Sequence, residues 1–186
     1  MSDPKTDYKS DFKSGFRPAL RPVLGAKAAI ASAAIKLSPL PEGMIVHVLA
    51  SPDASDIEAR LRGLDKGDVR VVSPGQWFIV GEQPLSGVDM KTLLAALEPQ
   101  AAGVDQSQGR VRIRIEGKMA ERVLAKGTAV DLSLAIFPVG RSAATLIGHI
   151  AAHITRIDIS AFEIIVLRGF AESLWDDLVR MSLEFN

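Results

Sequence analysis

The sequence predicts an α+β fold in which a β-α-β-β-α unit occurs twice. Three observations predict it. Strand-like and helix-like runs follow in the same order in each half, the first from Met44 to Glu98 and the second from Arg110 to Glu184. Residues Arg110 to Glu116 alternate strictly between polar and apolar, the period of a half-buried strand. Each half closes on a helical stripe, Met90-Leu93-Leu94-Leu97 and then Phe170-Leu174-Leu178-Met181-Phe185. Each unit buries a sheet face under its helices, giving two similar layers. The chain divides into a basic arm at residues 1–36, a first module at 37–100 and a second at 101–186.

Residues 1–22 are polar and carry Pro4, Pro18 and Pro22, which predicts an extended arm. Ala26–Leu37 reads as a short helix or as a segment laid along a neighbour, and Pro39, Pro41 and Gly43 break regular structure after it. Met44–Leu49 is an apolar, β-branched strand. Ser51-Pro52-Asp53 reads as a helix start, with Ser as N-cap, Pro at the first helical position and an acid near the positive end of the dipole. Ile57, Leu61 and Leu64 supply the buried stripe of that helix and Gly63 its stop. Val69–Val72 and Gln76–Val80 form a hairpin around Ser73-Pro74-Gly75. Asp89 opens the next helix, which Pro99 ends.

In the second module Val111, Ile113 and Ile115 take one face of the first strand, with Arg110, Arg112, Arg114 and Glu116 on the other. Lys118–Lys126 is a short helix closed by Gly127. Thr128–Ser142 is irregular. Thr145–Ile157 and Phe162–Leu167 read as one long hairpin around Asp158–Ser160. Phe170–Phe185 is helical, its stripe widened by Trp175.

Composition narrows the function. The chain has 186 residues, 47% hydrophobic and 24% charged, and a mean hydropathy of +0.18, enough to bury a sizeable core. Lys plus Arg equals Asp plus Glu, so no overall field attracts nucleic acid or an anionic membrane. Residues 1–36 hold seven basic side chains against three acidic ones, or +4, leaving −4 for the rest. Such an arm either reaches a partner subunit or is a solvated terminus. There is no cysteine, hence no disulfide or thiolate chemistry. With no signal peptide and no apolar span, the sequence predicts a cytoplasmic chain.

Candidate sites follow. His149 and His153, four apart, have a metal-ligand spacing, but the sequence offers no third ligand at a matching distance. His47 stands alone in an apolar strand. No G-x-G-x-x-G or G-x-x-x-x-G-K-[ST] pattern occurs. Ser107, Thr145 and Asp105 have no base at a diagnostic spacing, and Asp105–Gly109 reads as a turn. Arg110, Arg112 and Arg114 make a positive row with Lys118 and Arg122 nearby. That row either clasps carboxylates of a partner or an anionic ligand, or is a solvated outer face with Glu116 interleaved. Arg141 and Arg156 are further partner-interface candidates without a visible counter-charge. The sequence predicts no catalytic, cofactor-binding or metal-ligating residue.

The series Val104-Asp105-Gln106-Ser107, Arg110 through Gly117, Val123–Gly127, Val130-Asp131-Leu132, Phe137–Gly140 and Phe170–Trp175 through Phe185 resembles the gamma subunit of bacterial heterotetrameric sarcosine oxidases. Gly75–Val80 extends the likeness into the first half. The resemblance implies a fold similar to the folate-binding aminomethyltransferase domain. It also implies partner alpha, beta and delta subunits, with FAD, FMN and NAD on alpha and beta, zinc on delta, and tetrahydrofolate on the partners. Such a complex oxidatively demethylates sarcosine to glycine, forming hydrogen peroxide. The one-carbon unit leaves as formaldehyde or passes to tetrahydrofolate as a methylene group. Two further readings stay open: a stand-alone tetrahydrofolate-binding protein, for which Asp105 would be the acidic residue, or a subunit of a complex acting on another N-methylated amine. Position 141 is Arg where cysteine is common in the family.

Overall fold

The structure, a computed structural model, describes residues 22–185. Residues 1–21 of the basic arm, and the extended course expected of them, lie outside the described residues. The Ala-rich segment that follows is not helical: it forms β1 (Ile30–Ala31) and β2 (Lys36–Pro39), an antiparallel pair. Ser32 makes the reversal, its Oγ accepting from the amides of Ala34 and Ile35, both at 3.2 Å. Ile35 and Leu37 are buried while Lys36 is exposed, so a period of two overrides the helical preference of alanine.

The first sheet begins with β3 (Met44–Ala50), where the apolar run falls as expected. Helix α1 (Ile57–Gly63) starts later than Ser51. Ser51, Pro52 and Asp53 make a turn instead, in which the Ala54 amide donates to the Ser51 carbonyl at 3.0 Å. Ser51 Oγ is spent on the Pro99 carbonyl, and Asp56, with φ 55°, stands at the helix N-cap. Strands β4 (Asp68–Ser73) and β5 (Gln76–Gly81) form the hairpin, and α2 (Gly87–Leu97) follows with Ser86 as its cap. Strand β6 (Ala101–Asp105) pairs with β3, so the first sheet runs past residue 100, where the sequence places the second module. Gly103 lets α2 close on this strand, since a Cβ there would sit 2.5 Å from Leu94 Cδ2 and 2.6 Å from Leu97 Cδ1. The sheet order is β4-β5-β3-β6.

The second sheet contains β7 (Arg110–Glu116), then, after α3 (Ala120–Ala125), β8 (Ser142–Ile147), β9 (Ile150–Asp158) and β10 (Ala161–Leu167). The long arm expected over Thr145–Ile157 is broken by a turn at Gly148, whose φ of 58° suits glycine. Helix α4 (Ala171–Ser182) ends the fold, flanked by short 3₁₀ turns. The order is β1-β2-β7-β10-β9-β8, so the arm's two strands extend the second sheet rather than the first.

Alternation then dictates a four-layer stack. Met44, Val46 and Val48 pack under α1 and α2 with Leu61, Leu93 and Leu97. Ile113, Ile154 and Ile164 pack under α3 and α4 with Val123, Leu174 and Leu178. The remaining faces meet each other, where Ile45, Phe78 and Val80 touch Ile165. Helices therefore cover both outside faces, and the centre of the protein is a sheet-on-sheet seam.

Candidate functional site

The seam is where the chemistry-bearing residues gather. Glu163 of β10 is 1% exposed and is the carboxylate around which the arginines are arranged. Arg112 holds it in a fork, Nε to Oε1 at 2.7 Å and Nη2 to Oε2 at 3.2 Å. Arg70 of β4 donates Nη1 to the same Oε1 at 2.7 Å, so the triad ties the two sheets together. Arg114 stands 3.6 Å away, and the exposed acids Glu82 and Asp68 complete the pairing of Arg112 and Arg70. Burial alone would push the Glu163 carboxyl up, but the hydrogen bonds from Arg112 and the charge of Arg70 outweigh it and hold it at about 2.

Arg110 lies over the Phe78 ring at 4.8 Å, and burial lowers its pKa. His47 and His153 flank the same ring at 5.1 and 5.2 Å. His153 Nε2–H donates to the Val71 carbonyl at 2.8 Å, which fixes the tautomer and leaves Nδ1 buried without a partner. Burial pushes this imidazole down to about 4. The Val71 carbonyl opposes that shift, and the charges of Arg70 and Arg110 add to it. His153 is a neutral wedge in the seam.

The arginine row is thus on an inner face, not the solvated outer face the alternation allowed. Arg112 is wholly taken up by intrachain partners, while Arg110, on Phe78, and Arg114, beside Glu163, are half-buried. Arg156 also has the counter-charge that the sequence hides. It is 1% exposed, and its Nη2 donates to Glu121 at 3.0 Å. Its Nε donates to the Phe137 carbonyl at 2.6 Å, and its Nη groups reach the carbonyls of Leu132 and Ile159. Arg141 is exposed at the same loop and donates to the Ile136 carbonyl at 2.7 Å. Sequence reasoning passed over Glu163 and Arg70. Their signal is a single charge inside an apolar strand, Phe-Glu-Ile-Ile-Val and Val-Arg-Val-Val, which demands a buried partner.

The other candidates are held apart. His149 sits at the exposed β8–β9 turn and His153 in the seam, and among the described residues no three His, Asp or Glu side chains converge as a metal site needs. Ser107 Oγ accepts from the Ile45 amide at 3.0 Å, and the Ser107 amide donates to Asp105 Oδ1 at 2.9 Å. Thr145 Oγ1 bonds Thr128 Oγ1 at 2.9 Å. These contacts stitch strands and turns. No helix among the described residues is long and apolar enough to cross a membrane.

The fold and site define an antiparallel α+β scaffold whose buried charges, Arg70, Arg112, Arg156 and Glu163, are paired within it. The chain belongs to the sarcosine oxidase gamma subunit family, whose model matches residues 29–184. Its fold is similar to that of a chain in heterotetrameric sarcosine oxidase from Corynebacterium sp. U-96 in complex with pyrrole 2-carboxylate. The TM-score is 0.73 and the identity 22%, over 84% of this chain and 88% of that chain. No curated protein matches the sequence.

Proposed function

We propose that this chain is the non-catalytic gamma subunit of a sarcosine-oxidase-type heterotetramer, which it serves by docking on and stabilising the other subunits. The observation that carries the reading is the family match over residues 29–184, together with the fold likeness to a chain of a heterotetrameric sarcosine oxidase. The seam adds physical support: Glu163, Arg70, Arg112 and His153 are the groups that could move protons or bind anions, and each is engaged within the chain. In this reading the alpha and beta subunits carry FAD, FMN and NAD, delta carries zinc, and tetrahydrofolate binds the partners. The complex acts in the cytoplasm, converting sarcosine to glycine with oxygen as acceptor.

The test is co-expression with the alpha, beta and delta chains of a sarcosine-oxidase-type complex. Recovery of one complex with flavin absorbance and sarcosine-dependent peroxide release is expected, with neither property in the isolated chain. Titration of the isolated chain with folinic acid should give no heat. Saturable heat there would replace this reading with a stand-alone folate-binding protein.

A further inference from the structure

The seam is open at one end, and an unpaired charge stands there. Residues directly opposite each other in an antiparallel ladder share a face. In the first sheet Phe78 pairs with His47 and His47 with Val104, and Leu49 follows His47 on the same face of β3, so all four are directed toward the second sheet. In the second sheet Arg110 pairs with Leu167, on the face that carries Arg112 and Ile165. Phe78 and Ile165 are buried between the sheets, yet Leu49, Val104 and Leu167 are 36%, 45% and 40% exposed. The sheets cover one another at Phe78 and leave the seam-facing aliphatic side chains beyond it in water.

Arg110 stands where cover gives way to water, its guanidinium 4.8 Å from the centre of the Phe78 ring. Arg70, Arg112, Arg114 and Arg156 each have a carboxylate. Arg110 has none among the described residues, and its Nε is buried without a hydrogen-bond partner. Burial lowers its pKa, and no acidic neighbour opposes the shift. The acids around the seam are already engaged: Glu163 with Arg112 and Arg70, Glu42 with Arg168, and Asp105 with the Ser107 amide. A half-buried cation without a counter-charge is destabilising, and an added carboxylate would offset that cost. A cationic centre bordered by aliphatic side chains is also the composition of an interface hot spot, where the apolar rim keeps water from the charge pair. The rim spans β3, β6 and β10, the breadth of a protein segment and not of a small anion.

We propose that the open end of the seam receives one segment of a partner subunit, which sets an Asp or Glu carboxylate on the Arg110 guanidinium and aliphatic side chains on Leu167, Val104 and Leu49. The inference rests on the gamma-subunit reading and adds to it the residue that pairs with the partner. Arg110 and Leu167 are cross-strand neighbours, so the carboxylate and the apolar contacts come from the same partner chain. The carboxylate accepts charge-assisted hydrogen bonds that this chain does not supply. Arg110 therefore destabilises the isolated chain and stabilises the complex, a reversal of sign that a residue serving the fold alone would not show.

The test measures this chain alone and in the complex co-expressed with the alpha, beta and delta chains, with an affinity tag on alpha. Arg110→Met keeps an apolar contact with Phe78 and removes the charge. Leu167→Glu supplies a carboxylate beside Arg110 from within the chain. Both variants should melt at or above the wild-type temperature as isolated chains, while their recovery with the tagged complex should fall about ten-fold or more. Val88→Asp, at an exposed apolar position on α2, should leave both readings at the wild-type level. If the two variants are recovered as well as wild type, the docking site is refuted and the subunit reading stands. Failure of wild type itself to recover removes both. A lower melting temperature for isolated Arg110→Met would make Arg110 a support of the fold, and the proposal fails. It fails equally if sodium hexanoate raises the melting temperature of the isolated wild type but not of Arg110→Met, since the carboxylate then belongs to a free ligand. A dimer of the isolated chain that Arg110→Met turns to monomer would also overturn it, the surface then meeting a second copy.

Discussion

Glu163 decides the energetics of the seam because it is a buried carboxylate with buried cationic partners on both sheets. Replacing it by Gln keeps its size and removes its charge, which leaves the buried Arg70 and Arg112 guanidinium groups with only the exposed Asp68 and Glu82 as acidic partners. The expected cost is on the order of 3–5 kcal/mol, read as a lower urea midpoint. Its pH signature has a definite sign. The folded carboxyl titrates at about 2, against 4.5 for the ordinary group, so its contribution is complete above pH 4.5 and is lost as pH falls toward 2. His153 acts in a higher window. Its folded value is about 4 against an ordinary 6.5, so there is no cost above pH 6.5, and protonation of the unfolded chain destabilises the fold as pH falls to 4. Stability should therefore climb with pH from 2 to 6.5, the upper part of the rise being about 3 kcal/mol. His153→Gln can still donate to the Val71 carbonyl but cannot titrate. Melting temperatures for this variant should be flat between pH 4.5 and 6.5 while the loss below 4.5 persists; an unchanged slope in the upper window would assign it to another group.

At the scale of elements, helix α2 rests on a single side-chain cap. Ser86 Oγ accepts from the Asp89 amide at 3.1 Å and donates to its carboxylate at 2.6 Å. Ser86→Ala should cost about 1 kcal/mol in urea unfolding, with no change in the transition's slope. This cap also illustrates what the sequence makes legible. Stripes with a definite period fixed β3, the β4–β5 hairpin, α2, β7 and α4 closely, because each buries one face and a slip would turn that face to water. Errors arose where propensity and tertiary pairing disagree. Alanine favours helix over Ala26–Leu37, but β7 offers an edge that Lys36–Pro39 pairs with. Ser-Pro-Asp after β3 has the chemistry of a cap, and it serves a turn because Ser51 is drawn to Pro99. Strand β6 is Ala-Ala-Gly-Val, with too little side chain to declare itself. Candidate sites were less legible for a related reason. Alternation placed Arg112 opposite Ile113, yet nothing local says whether the polar face meets solvent or a second sheet. Arg156 behaves likewise: its ligands are three carbonyls and Glu121, and only the folded loop brings them together.

The whole molecule unfolds as one unit or two, and the seam determines which. Either half alone would expose Ile45, Phe78 and Val80, or Ile165, and would break the Arg70–Glu163 bridge, leaving Arg70 with the exposed Asp68 and Glu163 with Arg112. The helical layers lie on opposite outer faces and share no core cluster, so the seam is what couples them. A buried apolar contact reinforced by the Arg70–Glu163 bridge makes independent melting of a half costly, because the other half would lose both and wet the apolar face they cover. The two tryptophans allow a direct test. Trp77 packs against the core under α1 and α2, and Trp175 lies in the core under α4. In Trp77→Phe the remaining fluorescence reports the second half, and in Trp175→Phe it reports the first. The two variants, measured also by far-ultraviolet circular dichroism to correct for their own stabilities, should each show fluorescence and dichroism transitions that coincide. Adding Glu163→Gln should lower both midpoints together. A first half that melts ahead of the backbone signal would mean that the seam holds the sheets in register without joining their stabilities.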